Sequence, residues 1–327
     1  MIRTLRVSDQ RWPTAKTFVI ARGAKTEAHV LLVEIEQAGV VGRGEATPYP
    51  RFGETMAQSM ALAESARPAV EAGASRAELQ NVMLAGAARN AIDCALWDLE
   101  AKLTGEPAWK AAGKARLDPV KTCYTLSLEA PEAMAEAARA AAGRPMLKLK
   151  IGAAGDLDRV EAVRAAAPKT RLVVDANEGL SFEDLKRLAP EFARLGVLLI
   201  EQPLKAGEDE ALEGYECPVM LCADESLRTR MELDACARRY GCINVKLDKA
   251  GGLTEALALT AEARARGLAV MAGCMVATSL AMAPAMIIAQ GADFVDLDGP
   301  LLLARDREPG LVFEGSMIRP PPRELWG

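Results

Sequence analysis

Six residues recur along the second half of the chain at spacings that suit chemistry: Lys150, Asp175, Glu201, Asp224, Lys246 and Asp296. Most intervals between them are 22 to 26 residues, about one strand-plus-helix unit each. Each residue stands near the end of a short apolar run, in MLKLKI, RLVVDAN, VLLIEQP, VMLCADES, CINVKLD and FVDLDG. One acid at such a point is an ordinary helix N-cap. Three acids on three successive units, flanked by two lysines, ask for more. Three carboxylates do not share a pocket without a cation. A ligand set of oxygens alone, with no histidine or cysteine, selects a hard ion. Mg²⁺, one per subunit, suits Asp175, Glu201 and Asp224.

The lysines imply proton chemistry. If the units close a ring of eight, the Lys150 and Lys246 strands are four apart and face each other. A substrate carboxylate on the metal then has its α-carbon between two ammonium groups. Removing the α-proton makes an ene-diolate, whose charge a divalent ion stabilises where it forms. A neutral lysine takes the proton. Lys148 lies two residues from Lys150 on the same strand face and is expected to depress its pKa. Bases on both faces allow removal from one side and return from the other, which inverts the stereocentre.

The elements that must hold these groups are legible as two units. Up to about residue 115, β-rich stretches at Phe18–Arg22 and Val30–Ile35 precede a Gly-rich turn at Gly39–Gly44. Helices follow, among them ARNAIDCALWDLEAKL, stopped by Gly105 and Pro107. This is an α+β unit, residues 1–115. From residue 116 to 300, eight apolar runs alternate with Ala/Glu/Arg-rich helical stretches, starting with KTCYTLSL and including AVMAGCM. Strands separated by single helices pair in parallel. Eight such units close an α/β barrel, with its active site at the C-terminal ends of the strands. No clear helix follows the eighth strand, and the Pro-rich tail, 301–327, is expected to return to the first unit.

Composition removes other classes. The net charge is -5, with no basic face for nucleic acid. The single histidine, His29, sits in the alternating strand AHVLLVEI and reads as a surface residue. Catalysis built on histidine with serine or cysteine is thereby excluded. Seven cysteines without a CxxC spacing argue against a disulfide framework or a zinc site. The opening MIRTLRVSDQ lacks the apolar core of a signal peptide, and the run Leu280–Ala289 is too short to span a bilayer. The expectation is a cytoplasmic protein with a small-molecule substrate and no nucleic-acid or membrane partner.

The motifs GRGEATPYPRFGET, ARNAIDCALWDL, KLK, DAN, EQP, ADES, INVKLDKAGG and DLDGP stand in the order found in the enolase superfamily, which the chain resembles over nearly its whole length. The subgroup is the muconate-lactonising one. The resemblance implies an α+β capping domain on a modified (β/α)7β barrel. It implies metal ligands Asp175, Glu201 and Asp224 and bases Lys150 and Lys246. Lys249 falls after the strand and out of phase with it. Within the subgroup, DLD, GCMVATS and FVIARGAKTEA are similar to dipeptide epimerases, those acting on L-Ala-D/L-Glu of murein peptides. By that likeness Asp296 and Asp298 hold the ammonium of a dipeptide, Cys274 and Met275 line its site, and Arg22, on a loop closing the barrel mouth, pairs its side-chain carboxylate. A homo-oligomer is implied as well.

Other readings stay open. An o-succinylbenzoate synthase or a muconate cycloisomerase would use one lysine as base, and an N-acyl amino acid racemase would bind no ammonium. Asp296 and Asp298 weigh against all three. A Schiff-base aldolase also places a lysine in a barrel but needs no metal triad. A non-catalytic metal-binding scaffold would not need both lysines.

Overall fold

The computed structural model describes residues 3–152 and 155–327. Met1 and Ile2 of the opening stretch therefore lie outside the described residues. Three antiparallel strands begin the chain: β1 (Arg3–Ile20), β2 (Gly23–Gln37) and β3 (Val40–Ala46), in the order β1-β2-β3. The expected strands at Phe18–Arg22 and Val30–Ile35 are portions of longer ones, and the chain turns at residues 21–22. Strand β2 serves two cores by alternation. Leu31, Val33 and Ile35 join the core of the first unit, whereas Ala28, Val30 and Leu32 join that of the barrel.

The expected turn at Gly39–Gly44 is shorter. Only Ala38 and Gly39 turn, both with positive φ, and Gly42 and Gly44 lie inside β3. Their missing side chains serve close packing. A Cβ on Gly44 would strike the Ala91 carbonyl, and one on Gly42 the Ala95 carbonyl. Those carbonyls belong to the long buried helix of the first unit. It follows three short helices, α1 (Met56–Ser65), α2 (Arg67–Glu71) and α3 (Arg76–Val82), and is α4 (Ala87–Thr104). Gly105, at φ 77°, ends it as expected.

After a short helix α5 (Ala108–Ala111) and strand β4 (Val120–Lys121), the alternating units begin. They are β5 (Tyr124–Leu126), α6 (Pro131–Ala140), β6 (Met146–Lys150), α7 (Asp156–Ala166), β7 (Arg171–Asp175), α8 (Phe182–Arg194), β8 (Val197–Glu201) and β9 (Met220–Ala223). Next come α9 (Leu233–Arg239), β10 (Cys242–Lys246), α10 (Leu247–Ala250), α11 (Leu253–Ala265), β11 (Ala269–Gly273), α12 (Ser279–Ala289) and β12 (Phe294–Asp296). Strands β5 to β12 are neighbours in sequence order, and each pairing is parallel. Cys123 N donates to Val295 O at 2.9 Å, so the last strand meets the first and the ring closes. This is the expected barrel with its capping unit. The apolar run Leu280–Ala289 lies in α12, every residue of which is buried. Among the described residues no helix is long and apolar enough to cross a membrane.

Only a 3-10 turn, Gly299–Leu302, follows β12. The tail then crosses to the first unit. Ala304 N donates to Pro13 O, and Arg307 pairs with the buried Glu45 of β3. Two short strands follow, β13 (Phe313–Glu314) and β14 (Met317–Ile318); β13 pairs with β14, and β14 with β4. Trp326 is buried and donates its indole N–H to Cys94 O in α4.

Candidate active site

Register brings the chemistry-bearing residues to one level of the barrel. Lys150, Asp175 and Glu201 are consecutive register partners across β6, β7 and β8. Glu201 is also opposite Cys222, which places Asp224 just past the end of the next strand. On the other side Lys246, Gly273 and Asp296 are partners across β10, β11 and β12. Strands β6 and β10 are four apart in the ring of eight, so Lys150 and Lys246 stand on opposite walls. Gly273 leaves room for the Asn244 amide, which donates to Glu201 Oε1 at 2.8 Å.

Asp175, Glu201 and Asp224 are completely buried, and ammonium groups lie among them. Lys148 Nζ is 3.1 Å from Asp175, 2.6 Å from Glu201 and 2.6 Å from Asp296. Lys150 donates to Asp175 Oδ2 at 2.6 Å, and Lys246 to Asp224 Oδ2 at 2.7 Å. Burial opposes the charge on Lys148, but Asp175, Asp296 and Glu201 outweigh it and hold its pKa well above the ordinary range. Lys246 is raised in the same way, burial being outweighed by Asp224 and Glu201. Burial and the charge of Asp175 push Glu201 up to about 7. Burial also acts against Asp175 and Asp224, yet their lysine neighbours hold both low.

Lys249 is a residue that sequence reasoning set aside. It follows the strand, as expected, in the single turn α10. That turn folds it back, completely buried, so that Nζ lies 2.6 Å from Asp224 Oδ1 and donates to the carbonyls of Asp224 and Asn244. It is not among the residues that line the cavity, and its ion pair holds Asp224. Gln202 fixes the same loop, its Oε1 accepting from Asp224 N at 2.8 Å and Ser226 N at 3.0 Å.

Asp296 and Asp298 are buried at the end of β12. Asp296 accepts from Lys148 and from the Cys123 thiol, and Asp298 Oδ2 accepts from Thr125 N at 2.6 Å. Burial and the charge of Asp296 push Asp298 up to about 6. Among the described residues, Cys123, Asp296 and Asp298 bring their ligand atoms within 4.8 Å of one another.

The mouth is covered by the β1–β2 hairpin. A cavity of about 410 Å³ beneath it is lined by Lys148, Lys150, Lys246, Asp296 and Asp298, with Cys274 and Met275 on one side. Three residues after Met275, Thr278 donates from N and Oγ1 to the buried Glu45 at 2.8 and 2.6 Å. The hairpin contributes Phe18, Arg22 and Lys25.

Arg22, expected to meet a substrate carboxylate, lines the cavity. Its guanidinium is also bonded within the protein. It donates to Asn177 O at 2.7 Å, Glu178 at 3.1 Å, Glu225 at 2.6 Å and the Tyr49 hydroxyl. Lys25, three residues on, also lines the cavity, and no ion pair engages it among the described residues. Burial and the charges of Arg22, Lys150 and Lys246 lower its pKa. Both cations of the ARGAKTEA stretch line the cavity, Arg22 with partners in the protein and Lys25 without an ion pair among the described residues. His29 pairs with Asp9 at 2.6 Å, away from this site.

The donor set fits a hard divalent cation. Asp175, Glu201 and Asp224 offer carboxylate oxygens alone, fully buried, on three neighbouring strands. Glu201 Oε2 and Asp224 Oδ1 accept no well-formed hydrogen bond, although an ammonium lies beside each. Such oxygens suit an ion that needs no directed lone pair.

Residues 132–323 match the family of enolase C-terminal domain-like proteins. Residues 2–113 match the N-terminal domain of mandelate racemase and muconate lactonizing enzyme. The L-Ala-D/L-Glu epimerase of Escherichia coli (strain K12) is 46% identical over 314 residues, 95% of this chain and 98% of that protein. An N-acetyl-D-glutamate racemase of Pseudoalteromonas sp is 40% identical over 91% of this chain and 95% of its own. An enolase family member from Agrobacterium tumefaciens, described as having homology to dipeptide epimerases and solved with sodium and L-Ala-L-Glu, superposes with a TM-score of 0.98. It shares 50% identity over 99% of this chain and 100% of that one. The dipeptide epimerase of Enterococcus faecalis V583, solved with Mg and L-Leu-L-Tyr, gives 0.91 at 28% identity over 98% of both chains.

Proposed function

The chain belongs to the enolase superfamily, and from that premise we propose that it is a dipeptide epimerase. It inverts the α-carbon of the C-terminal residue, with L-Ala-D/L-Glu as substrate. The observation that carries this reading is the pair of buried lysines, Lys150 and Lys246, on opposite walls above three buried carboxylates.

Asp175, Glu201 and Asp224 would hold Mg²⁺. When bound, the ion neutralises charge that builds on the substrate carboxylate as the α-proton leaves. Lys150 and Lys246 each move one proton at Nζ, one removing it and the other returning it from the opposite face. Lys148, held charged by its three acids, keeps a fixed positive charge beside Lys150. Lys249 holds Asp224 without touching substrate. Asp296 and Asp298 accept the ammonium of the dipeptide, and Lys25 meets the glutamate side chain. Arg22 fastens the hairpin that excludes water from these steps.

Ala-Glu is a murein dipeptide, so this assignment puts the enzyme in the recycling of cell-wall peptides in the cytoplasm. The direct test is a dipeptide library in D₂O with Mg²⁺, read by a mass gain at one α-carbon. Ala-Glu is expected to exchange fastest, and exchange in no dipeptide overturns the reading. A second reading, racemisation of an N-acylated amino acid, is favoured by the similarity to the N-acetyl-D-glutamate racemase. The buried pair Asp296 and Asp298 weighs against it, because an acyl group brings no cation to meet them.

A further inference from the structure

A second cavity, of about 480 Å³, adjoins the substrate cavity. The two share three lining residues, Phe18, Thr125 and Leu302. Thr125 is part of the barrel wall, its N–H bound to Asp298. Phe18 comes from β1 and Leu302 from the turn after β12, both only partly buried. These two side chains therefore form a partition between the spaces. Behind it lie Leu126, Met134 and the small residues Ala137 and Ala141, between β5 and α6. Arg144, at the far side, is occupied, stacked on Tyr124 at 4.1 Å and bonded to Gly315 O at 3.0 Å.

The position of the partition matters because of what stands beside it. Leu302 is four residues after Asp298, and Thr125 is bonded to Asp298 itself. If these aspartates hold the substrate ammonium, the side chain of the first residue sits next to that ammonium and points at Phe18 or Leu302. An alanine methyl needs no further room. A leucine or phenylalanine side chain in that place needs the space beyond the wall.

We propose that Leu302, backed by Phe18, is a specificity-determining residue that confines the first residue of the dipeptide to alanine-like size, and that the cavity behind it takes a large apolar first residue once Leu302 is trimmed. The proposal rests on the dipeptide reading above. Apolar pockets discriminate by roughly ten- to two-hundred-fold for a methylene or so of misfit. Leu302→Ala should therefore raise kcat/KM for Leu-Glu relative to Ala-Glu by about tenfold or more. Leu302→Val, a smaller change that keeps the chain's packing, should move the ratio part of the way. Adding Ala137→Phe to Leu302→Ala fills the second cavity from α6 and should return the ratio toward the wild-type value. Turnover of Ala-Glu by the wild type checks the dipeptide reading, and the ratio checks the partition. An enzyme that epimerises Ala-Glu but shows the same ratio in folded Leu302→Ala and Leu302→Val overturns the partition while leaving the dipeptide reading intact. So does a gain in Leu302→Ala that Ala137→Phe does not diminish.

Discussion

Arg22 and Glu225 are 203 positions apart in the chain, yet the guanidinium of one donates to the carboxylate of the other at 2.6 Å. Glu225 follows Asp224 directly and has no exposed side-chain surface. The pair thus ties the hairpin over the barrel mouth to the loop that carries a metal-ligating candidate. Tyr49 joins them, its hydroxyl donating to the same Glu225 oxygen at 2.8 Å.

Separate outcomes follow for the two cations of the hairpin. Arg22→Met should loosen the hairpin and raise KM for Ala-Glu and Ala-Leu by similar factors. Lys25→Met should raise KM for Ala-Glu alone, by roughly ten- to a hundred-fold if one charge-assisted hydrogen bond is lost. Steady-state kinetics on the two dipeptides decide the matter. A KM increase in Arg22→Met confined to Ala-Glu would return Arg22 to the substrate.

The barrel and the placement of most of its candidate site were legible because barrel physics writes them locally. A parallel strand buried on both faces is a short apolar run, and a functional residue at its C-terminal end follows that run directly. Lys150, Asp175, Glu201, Asp224 and Lys246 are all of this kind. What was not legible depends on distant partners. Gly42 and Gly44 look like a turn until α4 is laid across them. Lys249 looks out of phase only while the strand is imagined to continue, whereas the single turn α10 brings it against Asp224. Arg22 and Lys25 are equivalent in the sequence, and only the fold brings Arg22 to partners 155 to 203 positions away.

Removal of metal is the simplest check on the carboxylates. EDTA should abolish epimerisation and Mg²⁺ should restore it. Asp224→Asn should weaken Mg²⁺ binding measured by calorimetry and nearly eliminate turnover. Full activity in metal-free protein would contradict the role given to Asp175, Glu201 and Asp224.

The two lysines should fail in complementary ways. Lys150→Ala and Lys246→Ala are each expected to stop epimerisation, since inversion needs both faces. Each variant should still exchange the α-proton of one epimer with deuterium, and the two should select opposite epimers. NMR in D₂O reads this directly. If both variants exchange the same epimer, the bases are not on opposite sides of the substrate.

Asp248 offers a pH test that reads stability rather than turnover. It is fully buried where the first unit meets the barrel, accepting from Thr47 N at 2.7 Å and Asn90 Nδ2 at 3.2 Å, and burial pushes it up to about 7. A carboxyl raised in the fold binds its proton more tightly there than in the unfolded chain. Its contribution to stability is therefore complete below about pH 4, where both states are protonated, and falls as pH rises toward 7. Both hydrogen bonds end on one oxygen, which asparagine retains. Asp248→Asn should therefore gain stability over wild type at pH 8 and much less at pH 5, a tenfold difference in proton affinity being worth about 1.4 kcal/mol. Thermal melts of the two proteins from pH 5 to 8 give the difference, and a gap that does not widen with pH would refute the assignment.

Asp296 and Asp298 decide between the two readings of the substrate. They are two apart at the end of β12 and both face the cavity. Asp296 already has a counter-charge in Lys148, 2.6 Å away. Asp298 accepts from the Thr125 backbone N–H at 2.6 Å, and its raised pKa, about 6, reflects a buried carboxylate beside another. A cation arriving there relieves that cost, and the amino terminus of a dipeptide lies one peptide unit from the carboxylate to be activated. A charge-assisted hydrogen bond of this kind is worth about 1.5–3 kcal/mol, or roughly ten- to a hundred-fold in kcat/KM. N-acetyl-Ala-Glu should therefore be a much poorer substrate than Ala-Glu. Asp298→Asn should lose most of that preference, because its amide gains nothing from a charged amine. Equal turnover of the free and acetylated dipeptides by the wild type would overturn the dipeptide reading and make an N-acylated amino acid the better substrate.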